Sequence, residues 1–470
     1  MGRMRHAGPT LLVFAAWALA TGTAHHLGLS LHCDAGRTWQ LLDTTQLRDN
    51  LLQSLWYQHG QPPLYNLLLG IALKLGATVD GLALHVVFDA MGLLAGLLTA
   101  QVATALGATR WMAALAGALL VVSPGFALYQ HWMFYDLPVT VGILVVALTL
   151  LRAAERPTVP RLAQLAVAVA GLVWLRSVFH LVWVVGMAVV VLPRSHIPRR
   201  RLAMALAVAL VVAALPFAKN AVVFGRFESS TWAGMSAERL THQFIPLAER
   251  ERMAALGQID AVSVVGPYRP LLAYNAQPVD AAKWQGIAVL DQPAKRDGQP
   301  NFNHAAYLAI SRTMLRDAVT MVRTHPDAYA RAHLSAWLHW MRPASVHPNL
   351  AQGRQILRPW LELWNRFALV EVVQVHFAVV LGALIGLVLL LQMAFSAQLP
   401  PPQQAMVRAL AWTALWVTLL GNLLEHGENY RFRAYLDPVF LAVIAAALSR
   451  VQVPDSLRSR ASSASSASRA

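Results

Sequence analysis

The chain has 470 residues, 57% apolar and only 13% charged, with a mean hydropathy of +0.47; that is too apolar for a soluble domain and reads as a polytopic membrane protein. The net charge of +15 does not point to nucleic acid, because arginines in short loops between apolar spans are what membrane orientation requires. Cys33 is the one cysteine, which excludes an intrachain disulfide and a cysteine metal cluster.

Spans are expected where about 20 apolar residues can cross roughly 30 Å of hydrocarbon. Residues 8–29 make the first; Arg3 and Arg5 precede it, no small-residue cleavage pattern follows, and it reads as a retained anchor. Residues 81–106, 109–128 and 136–154 come next, separated by Arg110 and the polar patch from Tyr129 to Asp136. Between Pro160 and Pro193 an apolar run is interrupted at Arg176-Ser177, which predicts two crossings with Arg176 at the turn. Spans at 202–223, 372–393, 406–424 and 434–449 complete the set, and the Ser-Ala-rich end from 451 to 470 reads as a disordered tail.

Arginine positions orient these spans. The loops holding Arg152, Arg156 and Arg161, and Arg194 with Arg199 to Arg201, are the basic short loops expected in the cytoplasm. Working back from them puts Asp136 outside, Arg110 inside and Val79-Asp80 outside. The segment 62–75 then begins and ends on the external side, as a re-entrant or interfacial helix. The same reckoning makes 225–370 external. Within it Tyr307, Leu308, Leu315, Val319 and Val322 recur at helical spacing up to His325-Pro326, and Asp327 opens a helix with Tyr329, His333, Trp337 and Trp340 on one face. That aromatic face suits a helix in the headgroup region. No Asn-x-Ser/Thr sequon occurs, which favours a bacterial periplasm over an ER lumen.

Three stretches could carry chemistry. The first runs from His32 to Leu69: it holds Asp34, Arg37 and His59, then re-enters the membrane through Gln61-Pro62-Pro63-Leu64-Tyr65. The second ends in Asp136-Leu137-Pro138 at the mouth of a span. The third is Glu425-His426-Gly427-Glu428-Asn429-Tyr430-Arg431-Phe432-Arg433, leading to Asp437-Pro438. Asp34 and Asp136 also have a structural reading as helix N-caps. Arg431, Arg433 and Arg176 lie on the side where the positive-inside rule would not place them, which marks them as phosphate ligands more than as topology signals. Lys219 is a further exception that snorkelling would explain.

The opening loop with its Pro-Pro-Leu-Tyr re-entry, the Asp-x-Pro mouth and the Glu-to-Pro stretch near the end together resemble the GT-C superfamily of integral membrane glycosyltransferases, nearest in style to the protein O-mannosyltransferase and lipid A aminoarabinose transferase branches. The resemblance implies an all-α polytopic membrane protein, a GT-C-like bundle of about 10–11 transmembrane helices with external amphipathic helices. It implies three parts: a membrane module at 1–224 whose catalytic first external loop spans 30–61, an external segment at 225–370, and terminal membrane helices at 371–450. It further implies a hexosyl- or pentosyltransferase of the bacterial inner membrane with its active site facing the periplasm. Such an enzyme transfers sugar, with inversion, from a polyprenyl-phosphate donor to a glycan, lipid or protein acceptor.

On that reading Asp34 is the base, Asp136 the second carboxylate, and Arg37, His59, Gln61, Tyr65, Arg176, Glu425, Tyr430, Arg431 and Arg433 bind substrate. The departures are Ala35, where the family often has Glu after the Asp, and Gln61, where it often has Lys. The first weakens a metal claim there; the second leaves the donor phosphate to arginines or to a divalent cation. The cofactor stays open.

Asp89, inside the 81–106 span, is expected to face the bundle interior, with His85 one turn earlier as a partner. The histidines show no His-Glu-x-x-His or comparable zinc spacing, and the glycines form no phosphate loop. The alternative function is a transporter or flippase of lipid-linked envelope precursors with Asp89 and His85 as a coupling site, although no internal duplication supports it. A non-catalytic assembly protein is the third.

Overall fold

The computed structural model describes residues 4–31, 40–78, 81–194, 197–274, 281–367, 371–372, 375–396 and 399–451. Cys33, Asp34, Arg37, Val79-Asp80 and the tail from 452 lie outside them. The regular structure of the described chain is helical apart from a two-residue antiparallel ladder pairing Glu371 with His376 and Val372 with Val375, and an isolated bridge between Ala294 and Pro300.

Among the described residues four helices are long and apolar enough to cross a membrane: Leu82–Ala105, Asp136–Glu155, Arg199–Phe224 and Pro401–Leu423. The pair Arg110–Val121 and Pro124–Gln130 makes a fifth if counted as one bent span. Two of the four, Asp136–Glu155 and Pro401–Leu423, have 67% of their apolar window buried, against 39% for the other two, so they form the centre of the bundle. The outer helices turn Val86, Val87 and Leu94, or Val208, Val211 and Leu215, to the surface. Exposed apolar faces of this length fit a lipid surround, and the protein is an all-helical membrane protein. The larger span count expected from the sequence includes the shorter apolar helices Val159–Leu175 and Leu181–Val191, while Leu64–Lys74 is a further short apolar helix in the segment expected not to cross.

Local chemistry explains the breaks. The span expected at 109–128 is not one rod: Pro124 forbids a helical residue before it, Ser123 is extended (ψ 123°), and the two pieces meet at 65°. The interruption expected at Arg176 is present. One helix ends at Leu175, Arg176 is extended, and the next begins at Leu181. Leu64–Lys74, at 11 residues, covers only about 16 Å, short of a crossing. Helices approach closely where side chains vanish: a Cβ on Gly117 would stand 2.4 Å from the carbonyl oxygen of Gly96, so Arg110–Val121 lies directly against Leu82–Ala105.

Most of the bundle shares one hydrophobic core, and the segment after residue 225 adds two small ones of its own. In the first of these, Tyr307, Ile310 and Met314 of the Ala306–Thr324 helix pack with Trp232 and Met235. Of the residues expected at helical spacing here, Tyr307 is buried, whereas Leu315 and Val319 are 46% and 45% exposed. The buried face is set by the Ala233–His242 helix, which docks through Gly234, where a Cβ would meet the Ser311 carbonyl oxygen at 1.7 Å. The Pro326–Met341 helix sets Tyr329 edge-on to His333 and Trp337 edge-on to Trp340, on one face as the spacing predicts. Its end, with Trp340, Leu350 and Leu357, returns to the main core.

Candidate functional site

The third sequence stretch folds between two bundle helices, Pro401–Leu423 and Asp437–Arg450. Gly427 takes φ +96°, a left-handed conformation that glycine adopts without strain, and the short helix Asn429–Ala434 follows. This turn delivers Arg431 to Asp136, which stands in the first turn of Asp136–Glu155. Arg431 Nε donates to Asp136 Oδ1 at 3.1 Å and Nη2 to Oδ2 at 3.0 Å, a two-point clamp between side chains that are each 3% exposed. Arg431 Nη1 donates to Glu428 and Nη2 also to the Tyr135 hydroxyl at 3.2 Å. The guanidinium lies 5.1 Å from the Trp132 ring and 4.9 Å from the Phe134 ring, so it is enclosed on its faces as well as its edges.

Two further arginines extend the cluster. Arg176 donates to the same Tyr135 hydroxyl and to Gln40 Oε1 at 2.8 Å. Arg239, from the Ala233–His242 helix, stands 3.3 Å from Glu425 and 3.9 Å from Glu428. Asp136, Glu425 and Glu428 thus face Arg176, Arg239 and Arg431, three charges against three. Burial works against charge on Glu428, but Arg431, His347 and Arg239 outweigh it and hold its carboxyl well below the usual range. Glu425 goes the other way: burial pushes it up and the adjacent Glu428 adds to that, with Arg239 opposing. The two acids, three residues apart, are thus shifted in opposite directions.

Beside this cluster opens a cavity of about 470 Å³ between the bend at Ser123-Pro124, the Asp437–Arg450 helix and the amphipathic helix Arg358–Phe367. Leu120, Phe126, Leu137, Leu361 and Phe440 make its walls apolar, while Asp136, Arg433, Tyr435 and Asp437 reach its lining. Its size is that of a small-molecule site, and its chemistry suits a ligand with an apolar body and a polar end.

The expected site residues divide. Asp136, Arg176, Tyr65 and Arg431 meet around Tyr135, whose ring is 6.1 Å from that of Tyr65, and Glu425 joins through Arg239 and Glu428. Tyr430 is 3% exposed, its ring 5.9 Å from that of His347. Arg433 donates to the carbonyls of Trp340 and Arg342 at 2.7 and 2.6 Å, which ties two chain segments together. Asp34 and Arg37 lie outside the described residues.

His59 is fully buried, its Nδ1 2.7 Å from the Thr231 hydroxyl and its Nε2 2.9 Å from the Asn303 carbonyl, so both ring nitrogens are engaged within the protein. Burial, reinforced by Lys219, lowers its pKa to about 3, so it is a neutral strut between the first loop and the segment after 225. Gln61 gives its backbone carbonyl to Gln58, and Lys219, taken as snorkelling, donates to the Gln58 carbonyl. Asp136 does not cap its helix with its side chain; Arg431 takes the carboxylate instead.

Glu428, Tyr135, Gln40 and Arg239 were not anticipated. Glu428 was legible, since it lies one turn before Arg431, whereas Arg239 sits on a short polar helix with no sequence signal. No family model, curated protein or solved structure matches the chain.

Proposed function

We propose that the protein transfers a sugar from a polyprenyl-phosphate donor to an acceptor hydroxyl at the membrane surface, as a GT-C-like inverting glycosyltransferase. The observation that carries the reading is the apolar cavity that reaches Asp136, the carboxylate clamped by Arg431 at the edge of the buried cluster, an arrangement that fits an isoprenoid chain with a charged head. The periplasmic face of a bacterial inner membrane is the setting this reading entails. In the reaction the acceptor oxygen attacks the anomeric carbon opposite the phosphate. The acceptor proton passes to a carboxylate, the carbon–oxygen bond to phosphate breaks, and polyprenyl phosphate leaves with the electron pair. Asp34 is the base the resemblance implies. Among the three acids of the cluster Glu425 is the one not held by Arg431, which makes it the described acceptor for the proton on this reading.

The test is a proteoliposome assay with radiolabelled polyprenyl-phosphate sugars and an envelope lipid extract. Transfer by the wild type, a loss of at least 100-fold in Asp34→Asn or Glu425→Gln, and a raised KM in Gly382→Phe are expected. A Cβ on Gly382, in the cavity lining, meets nothing within 4 Å, so the larger side chain fills the cavity. No transfer with any donor, or full rates in both carboxylate variants, would overturn the reading. Movement of labelled lipid without transfer, abolished by Asp89→Asn, would replace it with transport.

A further inference from the structure

Apart from the arginine cluster, a second polar group is built into the bundle where three elements meet. His25 is in the last turn of Met4–His26, Asp89 is in the second turn of Leu82–Ala105, and His131 follows Pro124–Gln130. His25 Nε2 is 3.0 Å from Asp89 Oδ2 and His131 Nε2 is 3.7 Å from Asp89 Oδ1; the three ligand atoms all lie within 4.8 Å of one another. The sequence reading gave Asp89 to His85, but Asp89 engages His25 and Gln130, while His85 accepts from the Leu31 amide.

We propose that His25, Asp89 and His131 bind one divalent transition-metal ion of the zinc type. The ring of His131 carries the case. Its Nδ1 is 2.8 Å from the Ala127 carbonyl oxygen, which has only lone pairs, so Nδ1 bears the proton and Nε2 presents its lone pair. That nitrogen is buried, on a side chain 1% exposed, and has no hydrogen-bond partner. It faces a carboxylate oxygen at 3.7 Å, too far for a hydrogen bond, and two acceptors so placed repel unless a cation sits between them.

Tetrahedral bonds of about 2.0–2.1 Å require ligand atoms roughly 3.3–3.4 Å apart; the observed 3.0 and 3.7 Å run to the two different oxygens of Asp89, so the carboxylate binds through both oxygens or turns slightly to offer one to the ion. Two imidazoles and one carboxylate suit zinc better than magnesium or calcium, which prefer all-oxygen sets.

The surroundings are those of supported ligands. Gln130 Nε2 donates to Asp89 Oδ1 at 2.7 Å and lies 3.0 Å from the Thr21 hydroxyl. Trp17 Nε1 donates to the Asp89 carbonyl at 3.1 Å. Gly92 makes room for this: a Cβ there would stand 2.1 Å from Gln130 Oε1. Three protein ligands leave a fourth position, and the His25 side chain, 39% exposed, leaves it open to solvent or to a ligand. The ion would tie the ends of two helices to the segment that continues through Trp132 to Asp136.

The test uses the full chain, purified in detergent without a histidine tag, stripped with a chelator and titrated with Zn²⁺, with Co²⁺ absorption as a report of geometry. One equivalent per chain, a tetrahedral Co²⁺ spectrum and a rise in melting temperature with Zn²⁺ are expected for the wild type. His131→Gln and Asp89→Asn should each weaken binding at least 100-fold and remove the metal-dependent rise. His25→Ala, at the exposed ligand, serves if either buried variant fails to fold. Wild type that takes up no stoichiometric metal, or a folded variant that binds as the wild type does, overturns the site and leaves a proton-sharing cluster. Metal content is read without reference to sugar transfer, so the two proposals fail separately.

Discussion

Arg431 serves two carboxylates and Asp136 only one arginine, so removing them must cost different amounts. Arg431→Gln leaves both Asp136 and Glu428 buried without their main partner, whereas Asp136→Asn leaves Arg431 still paired to Glu428. Breaking a buried ion pair from one side costs about 3–5 kcal/mol. We therefore expect about 4–5 kcal/mol for Arg431→Gln and about 2–3 kcal/mol for Asp136→Asn, on that scale. The double variant no longer carries the stranded Asp136 charge, so it should cost about 4–5 kcal/mol rather than the sum, a coupling of about 2–3 kcal/mol. Reversible unfolding in mixed micelles, with all four proteins compared, measures this. Costs that add to within about 0.5 kcal/mol, or an Asp136→Asn cost equal to that of Arg431→Gln, would refute the shared clamp.

His59 gives a pH prediction. Its folded pKa of about 3 lies below the unfolded value of about 6.5, so the unfolded state binds the proton first. Stability from this group is complete above pH 6.5 and is lost as pH falls toward 3, by about 2 kcal/mol between pH 7 and pH 5. A His59→Asn protein should lack that part of the slope in pH-dependent unfolding, and an unchanged slope would count against the neutral strut. Gly117→Ala places a Cβ 2.4 Å from Gly96 O and should cost about 1–3 kcal/mol in the same unfolding assay, while Gly171→Ala, with nothing within 4 Å, should be near neutral.

Helical class and many boundaries were readable in the sequence because long apolar runs and prolines act locally. Arg176 broke its run where expected, and the span expected at 136–154 is observed as Asp136–Glu155. The bend at Ser123 was missed, although Pro124 signals it, because the apolar count runs straight through. In the Ala306–Thr324 helix, periodicity located the helix but not its packed side, which Gly234 on another helix decides. The site was half legible. Asp136 and Arg431 stood out as charges at span mouths, but their mutual clamp joins residues 295 apart, which no local pattern encodes. His25, Asp89 and His131 escaped for the same reason: metal spacing rules describe ligands on one element, and these come from three.

The filled donor edge of Arg431 sets a condition on any visiting anion. A phosphate that engages this guanidinium has to exchange with a resident carboxylate, and Glu428, hinged next to Gly427, is the more easily released of the two. Once freed from the cation, Glu428 regains a higher pKa and takes up a proton more readily. Anion capture and proton uptake would thus be linked, and affinity should climb as the medium turns acidic.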